Sequence, residues 1–196
     1  MTKGRLEAFS DGVLAVAITL LVLDLHLDPG QGSIPRQLRE RWPSFAAYAV
    51  SFLVIGVIWV NHHALISELA TVDRILLFQN LILLMFVTTM PFTTSALADY
   101  ITGNGTDARW AALLYGLSNI GMAFSFTAMF AHMVHRDLLA TSFGPEAGRR
   151  AIRQFGLGTL AYPAATIAGL IWPPLMLLAL SGLAIYYAAR TPIGAG

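Results

Sequence analysis

The chain has 196 residues, of which 56% are hydrophobic and only 12% are charged, and its formal net charge at pH 7 is +1. Soluble domains have about 25% charged residues, so this composition indicates a protein with several membrane-spanning helices. The near-zero net charge argues against a nucleic-acid partner, and the absence of cysteine from the sequence excludes disulfides, thiolate metal sites and cysteine nucleophiles.

The first predicted helix covers residues 9–27 and has an acid near each end, Asp11 and Asp24. The helical rise between these acids is about 20 Å, whereas the hydrocarbon core of a bilayer is roughly 30 Å thick. Because a lone charge in lipid costs roughly 2.5–3.5 kcal/mol, each carboxylate is expected to meet water or a polar partner. The segment lacks a small-residue cleavage site, so we interpret it as a retained helix rather than a signal peptide.

Five further spans complete an all-α membrane protein with a single six-helix domain over residues 1–196. Proline, glycine and charged residues separate the apolar runs. The remaining spans are predicted at 43–66, 75–97, 108–134, 155–171 and 175–189. A charged segment from Arg36 to Arg41 is expected to lie on the membrane surface, and Pro91 is expected to kink the third span.

The basic residues predict the orientation. With six spans, eight of the twelve Lys and Arg residues fall on the side that carries both termini, and four fall on the other side. The positive-inside rule therefore places both termini in the cytoplasm of a multi-pass protein of the cell membrane.

One stripe of the first helix is apolar and branched. With Val16 at zero on a helical wheel, Leu20 falls at about 40°, Leu23 at about 340° and Thr19 at about 300°. Several copies of this helix around an axis would form stacked apolar rings, which can gate a pore by dewetting. Taken alone, the stripe is explained more simply by ordinary helix packing.

A polar cluster is predicted at the cytoplasmic ends of the first three helices. Asp11 falls at about 220° on the same wheel, away from the stripe, which favours hydrogen bonding to a neighbouring helix over ion binding. Trp59, His62 and His63 end the second helix on the same side, where Asn80 enters the third. Because adjacent histidines point about 100° apart, we interpret this pair as structural and predict no metal site and no cofactor other than the permeant ion.

These residues resemble a known family. The run Arg5-x-x-x-Phe9-Ser10-Asp11 is similar to the signature of the lysosomal potassium-channel family, transmembrane protein 175 and its prokaryotic relatives. The end of the second helix from Trp59 to His63 and the run from Asn80 to Phe92 are similar to that family as well.

The resemblance implies a homotetramer in the lipid bilayer, with the first helix of each subunit lining a central pore for monovalent cations. It implies a hydrophobic constriction at Val16, further pore-lining residues at Leu20 and Leu23, and a selectivity-linked hydroxyl layer at Thr19. It also implies a structural polar network between helices. That network would comprise Arg5, Phe9, Ser10, Asp11, Trp59, Asn61, one of His62 and His63, and Asn80.

The function expected from this resemblance is a potassium-permeable channel with a weak preference for potassium over sodium. The chain has no Thr-Val-Gly-Tyr-Gly segment, so no carbonyl filter of that type is expected. A proton-coupled transporter or proton-conducting protein that uses Asp11, Asp24 or the histidines is the alternative. An intramembrane enzyme is not expected, because the sequence has no His-Glu-x-x-His or Gly-x-Ser-x-Gly motif.

Overall fold

The computed structural model describes residues 2–103, 105–140 and 145–189, with side chains described throughout these ranges except in 145–157. Helices account for most of the described residues, and an isolated antiparallel bridge joins Leu69 to Leu139. The helices are α1 (Lys3–Leu20) with a 3₁₀ turn after it (Leu21–Asp24), α2 (Ile34–Glu40), α3 (Trp42–Ser67), α4 (Arg74–Tyr100), α5 (Thr106–His135), α6 (Pro145–Ile171) and α7 (Pro173–Ala188).

The first helix ends earlier than the sequence predicts. The prediction extends it to residue 27, but regular α-helix stops at Leu20, a 3₁₀ turn follows, and Leu25 is already extended with φ −87° and ψ 92°. No proline or glycine lies between Leu20 and Pro29, so the sequence contains no local stop signal at the true end. The change of conformation coincides with a tertiary contact, since Ser95 of α4 donates to Asp24 Oδ1 at 2.8 Å.

Four segments are long and apolar enough to cross a membrane: Lys3–Asp24, Trp42–Ser67, Arg74–Tyr100 and Thr106–His135. Two shorter apolar helices follow, Gly158–Ile171 and Pro173–Ala188. Pro91 lies inside α4, which continues beyond it to Tyr100. The charged segment after the first span forms α2, a seven-residue helix with Pro35 in its first turn.

Helix α5 forms the centre of the bundle, packed mainly against α4 and α6, and α3 packs against both α4 and α7. Two glycines of α5 allow close approach. A Cβ at Gly116 would overlap the Thr166 side chain of α6, and one at Gly121 would overlap the Phe86 ring of α4. By contrast, α1 lies at the edge of the bundle, where it packs against α3 and α4. One face of α1 is therefore uncovered.

Candidate functional site

The uncovered face of α1 carries the four residues that the helical wheel places together. The exposed fraction is 57% for Val16, 43% for Leu20 and 72% for Leu23, and Thr19 between them is also exposed. Leu23 lies in the 3₁₀ turn rather than in the regular helix, and its side chain is exposed. The opposite face is fully packed, with Leu6, Ser10, Leu14, Ala17 and Leu21 buried.

The hydroxyl of Thr19 is oriented by its own helix. Thr19 Oγ1 donates to the carbonyl oxygen of Val16 at 2.8 Å. The hydroxyl proton is therefore used within the helix, and the oxygen lone pairs remain able to accept a hydrogen bond or to face a cation. This geometry is suited to an acceptor layer directly beside the apolar stripe.

Ser10, Asn80 and His62 form a buried chain of hydrogen bonds that joins three helices. Asn80 Nδ2 donates to Ser10 Oγ at 2.9 Å, and Ser10 Oγ donates to the Leu6 carbonyl at 2.9 Å. His62 Nε2 lies 2.8 Å from Asn80 Oδ1, and an amide oxygen only accepts, so His62 donates from Nε2. All three side chains are at most 1% exposed, so the chain fixes the register of α1, α3 and α4 in the bundle interior.

Asp11 and His63 belong to a second, more exposed group. Trp59 Nε1 donates to Asp11 Oδ1 at 3.0 Å, and the Trp59 and His63 rings lie with centroids 6.4 Å apart. His63 Nδ1 lies 3.0 Å from Glu7 Oε1. Glu7 was not predicted as part of this group, because its position one turn before Asp11 puts it on the same side of α1 but does not indicate a partner on α3.

Three residues expected in the polar network lie outside both groups. The Phe9 side chain is 49% exposed, and Asn61 Nδ2 donates to the carbonyl of Val57 in its own helix at 2.8 Å. The Arg5 side chain is exposed and has no hydrogen bond or ion pair with any of the described residues. Arg5 and Phe9 instead lie on the uncovered face of α1.

The other end of α1 is held by polar contacts. Asp24 accepts from Ser95, as described above, so Asp11 and Asp24, the two acids of the predicted first span, each have a polar partner. Arg41 forms an ion pair with Asp28 and donates to His26 Nε2 at 3.1 Å. These contacts attach the connection after α1 to the start of α3.

The chain is similar to known channels along nearly its whole length. A sequence model of the family described as "Endosomal/lysosomal potassium channel TMEM175" matches residues 5–91. A protein named as a potassium channel from Streptomyces collinus is 44% identical over 188 residues, which cover 94% of this chain and 91% of the relative. The human protein named "Endosomal/lysosomal proton channel TMEM175" is 31% identical over 180 residues, covering 85% of this chain and 35% of the relative.

A solved structure has the same fold. The crystal structure of a lysosomal potassium-selective channel TMEM175 homolog from Chamaesiphon minutus superposes with a TM-score of 0.85 at 34% identity, covering 96% of this chain and 97% of that chain. The two proteins therefore share their overall fold along nearly the whole of both chains.

Proposed function

The chain belongs to the TMEM175 family of channels, and from that premise we propose that four copies enclose a pore that conducts potassium with a weak preference over sodium. Family membership rests on the Streptomyces relative and on the family signature around residues 5–91. The chain is a potassium-related membrane ion channel rather than an enzyme, because its relatives and its structural neighbour are channels. The residues that line the pore and the basis of its selectivity among cations are our proposals.

The observation that carries the proposal is the uncovered face of α1. Val16, Leu20 and Leu23 are all more than two-fifths exposed, while the reverse face is packed against α3 and α4. Beside this stripe is a second one of small residues, Ala8, Gly12, Ala15 and Thr19, all exposed. Small residues allow close contact between membrane helices, so the small stripe is suited to contact with a neighbouring subunit and the branched stripe to lining the axis between them.

Selection in such a pore would depend on partial dehydration. Rings of alkyl groups at Val16, Leu20 and Leu23 offer no ligand to replace lost water, and a hydrophobic constriction can close by dewetting. Potassium is larger and less strongly hydrated than sodium, so it loses water at a smaller cost. The Thr19 oxygen, with its proton donated to Val16, would compensate part of that cost, which gives a preference that is real but small.

The proposed topology is a single domain of six spans in the cell membrane with both termini in the cytoplasm. Four long apolar segments and two shorter apolar helices support six crossings. The excess of Lys and Arg on the side of the termini supports the orientation. In this arrangement the buried chain through Asn80 lies toward the cytoplasmic end and holds α1 in place, outside the ion path.

Proton conduction is the second candidate function, and the name of the human relative favours it. It differs from the first in a measurable way, because a proton pathway would shift the reversal potential when only the pH gradient changes.

The deciding experiment is cation flux in liposomes that contain the purified protein. We expect fast flux with potassium as the permeant ion, slower flux with sodium, and a reversal potential that follows the potassium gradient. Val16→Trp is the pore-directed variant, and Ile185→Trp is its matched control, because Ile185 is similarly exposed (61%, against 57% for Val16) but lies on α7. No flux of potassium, sodium or protons from a folded wild-type protein, or equal block by both tryptophans, would contradict the proposal.

A further inference from the structure

Glu7, Asp11 and His63 form a cluster of metal-type donors at the end of α1, outside the proposed ion path. Each residue offers one ligand atom, and these three atoms all lie within 4.8 Å of one another. We propose that this triad binds a divalent transition-metal ion, with zinc as the best fit, and so links α1 to α3. The site is independent of the channel proposal, because none of its ligands lies on the uncovered face of α1.

The spacing of the donors is suited to a small ion. A tetrahedral zinc ion with bonds of about 2.0–2.2 Å has ligand atoms about 3.3–3.6 Å apart. His63 Nδ1 and Glu7 Oε1 already lie 3.0 Å apart. Glu7 and Asp11 are one helical turn apart, which puts both carboxylates on the side of α1 that faces α3. A small rotation of the Asp11 carboxylate would then complete a three-ligand site that leaves room for water.

Trp59 contacts two of the proposed ligands. Residues that contact metal ligands in this way fix the orientation of those ligands. The indole Nε1 of Trp59 donates to Asp11 Oδ1 at 3.0 Å, and its ring lies against His63. A hydrogen bond to one carboxylate oxygen orients the other, and the ring contact limits the rotation of the imidazole. Two of the three ligands are therefore positioned by one side chain.

A buried imidazole next to the triad provides a second, independent observation. His62 is fully buried, and its Nδ1 has no hydrogen-bond partner in the part of the chain that the structure describes. Glu7, Asp11 and His63 all lie within electrostatic range of this ring. An unprotonated ring nitrogen can accept a hydrogen bond from a metal-bound water, which has protons to donate.

The charge and chemistry of the donors favour zinc, cobalt or nickel over magnesium. Two carboxylates supply a net negative charge, and imidazole nitrogen is a ligand that these metals prefer, whereas magnesium prefers oxygen alone. Lys3, one turn before Glu7, donates from its ammonium group to the Ser67 carbonyl and forms no ion pair with either carboxylate. The cluster therefore has the charge of a cation site.

The test is metal binding to the purified full-length channel in detergent, with any affinity tag removed. Zinc is titrated by calorimetry, and cobalt is followed by its visible absorption. We expect one site per chain, zinc binding that excess magnesium does not displace, and a rise in melting temperature with zinc. Glu7→Gln and His63→Ala should each weaken zinc binding by at least about tenfold, whereas His135→Ala, which alters an exposed histidine outside the cluster, should leave it unchanged.

Two results would overturn the proposal. One is the absence of saturable zinc or cobalt binding to wild-type protein whose helical content and potassium flux are normal. The other is binding that survives both Glu7→Gln and His63→Ala, since the metal would then be held elsewhere. Glu7→Gln retains the shape of the side chain, so a failure to fold is not the expected reason for its loss of binding.

Discussion

His62 and His63 are neighbours in the chain but serve different groups. His62 Nε2 contacts Asn80 Oδ1 at 2.8 Å in the buried interior, while His63 Nδ1 contacts Glu7 Oε1 at 3.0 Å near the surface. The first is fully buried, and the side chain of the second is 56% exposed. His62 therefore belongs to the buried network that holds the helices together, and His63 belongs to the cluster at the edge of the bundle.

Replacement of each histidine by alanine should therefore have unequal effects on stability. His62→Ala leaves Asn80 Oδ1 buried without its donor, a loss of about 1–3 kcal/mol, whereas an exposed substitution is usually within about 0.5 kcal/mol. We expect His62→Ala to lower the free energy of unfolding in mild detergent and His63→Ala to change it little in metal-free buffer. Equal destabilisation by the two variants would show that the division between the groups is wrong.

The sequence predicted the face of α1 better than its length. The 3.6-residue period is a local property, so Val16, Thr19 and Leu20 could be placed together without knowledge of their neighbours. The end of the helix at Leu20 could not be predicted, because the Ser95–Asp24 contact that accompanies it joins residues far apart in the chain. The apolar composition, taken alone, predicts a helix that continues to residue 27.

The polar cluster was predicted in outline but not in its pairing. The positions of the predicted spans place Asp11, Trp59, His62 and Asn80 at a similar depth in the membrane. Which histidine bonds to Asn80 depends on the rotation of α3, which is set by packing against α4 and α7. Glu7 was missed because its partner, His63, lies on another helix, and no spacing rule within one helix indicates such a pair.

Val16 should control the flux. Val16→Ala widens the proposed constriction and lowers the cost of wetting it, so we expect potassium flux to rise severalfold, with a smaller rise for Leu20→Ala. Val16→Trp should reduce flux by about tenfold or more because the ring would fill the axis. Stopped-flow flux in liposomes measures all three variants, with Ile185→Trp as the control. Wild-type flux in Val16→Trp would show that the axis lies elsewhere.

Thr19 should set the preference for potassium. Thr19→Val keeps the shape of the side chain but removes the oxygen beside the apolar stripe, so the reversal potential under opposed potassium and sodium gradients should move toward the non-selective value.

Thr88 offers a close control for this experiment. It is also exposed, and its hydroxyl donates to the carbonyl three residues earlier, Met85, at 2.8 Å, as Thr19 does to Val16. Thr88→Val should therefore lose the same local bond without any change in selectivity. An unchanged reversal potential in Thr19→Val would remove this residue from the selectivity argument.

Asp73, at the start of α4, should make stability depend on pH. Its carboxylate accepts from the Leu76 backbone at 2.7 Å and contacts His132 Nε2 at 2.8 Å. The hydrogen bond from the Leu76 backbone, followed by His132, lowers the pKa of Asp73 below its ordinary value of 3.8. A lowered folded-state pKa means that the stabilisation is fully present above pH 3.8 and is lost as the pH falls through the lowered value.

Asp73→Asn tests this dependence directly. Asparagine caps a helix as well as aspartate does. The variant therefore removes the negative charge that contacts His132 and retains the helix cap. We expect the variant to unfold at a lower temperature than the wild type at pH 7. The difference in melting temperature should shrink as the pH falls below 3.8 and through the lowered pKa of Asp73, because the wild-type side chain then becomes uncharged like that of the variant. The measurement is a series of melting curves in detergent across that range. A difference that stays constant down to the lowest pH would mean that the charge of Asp73 contributes nothing to holding α4 against α5.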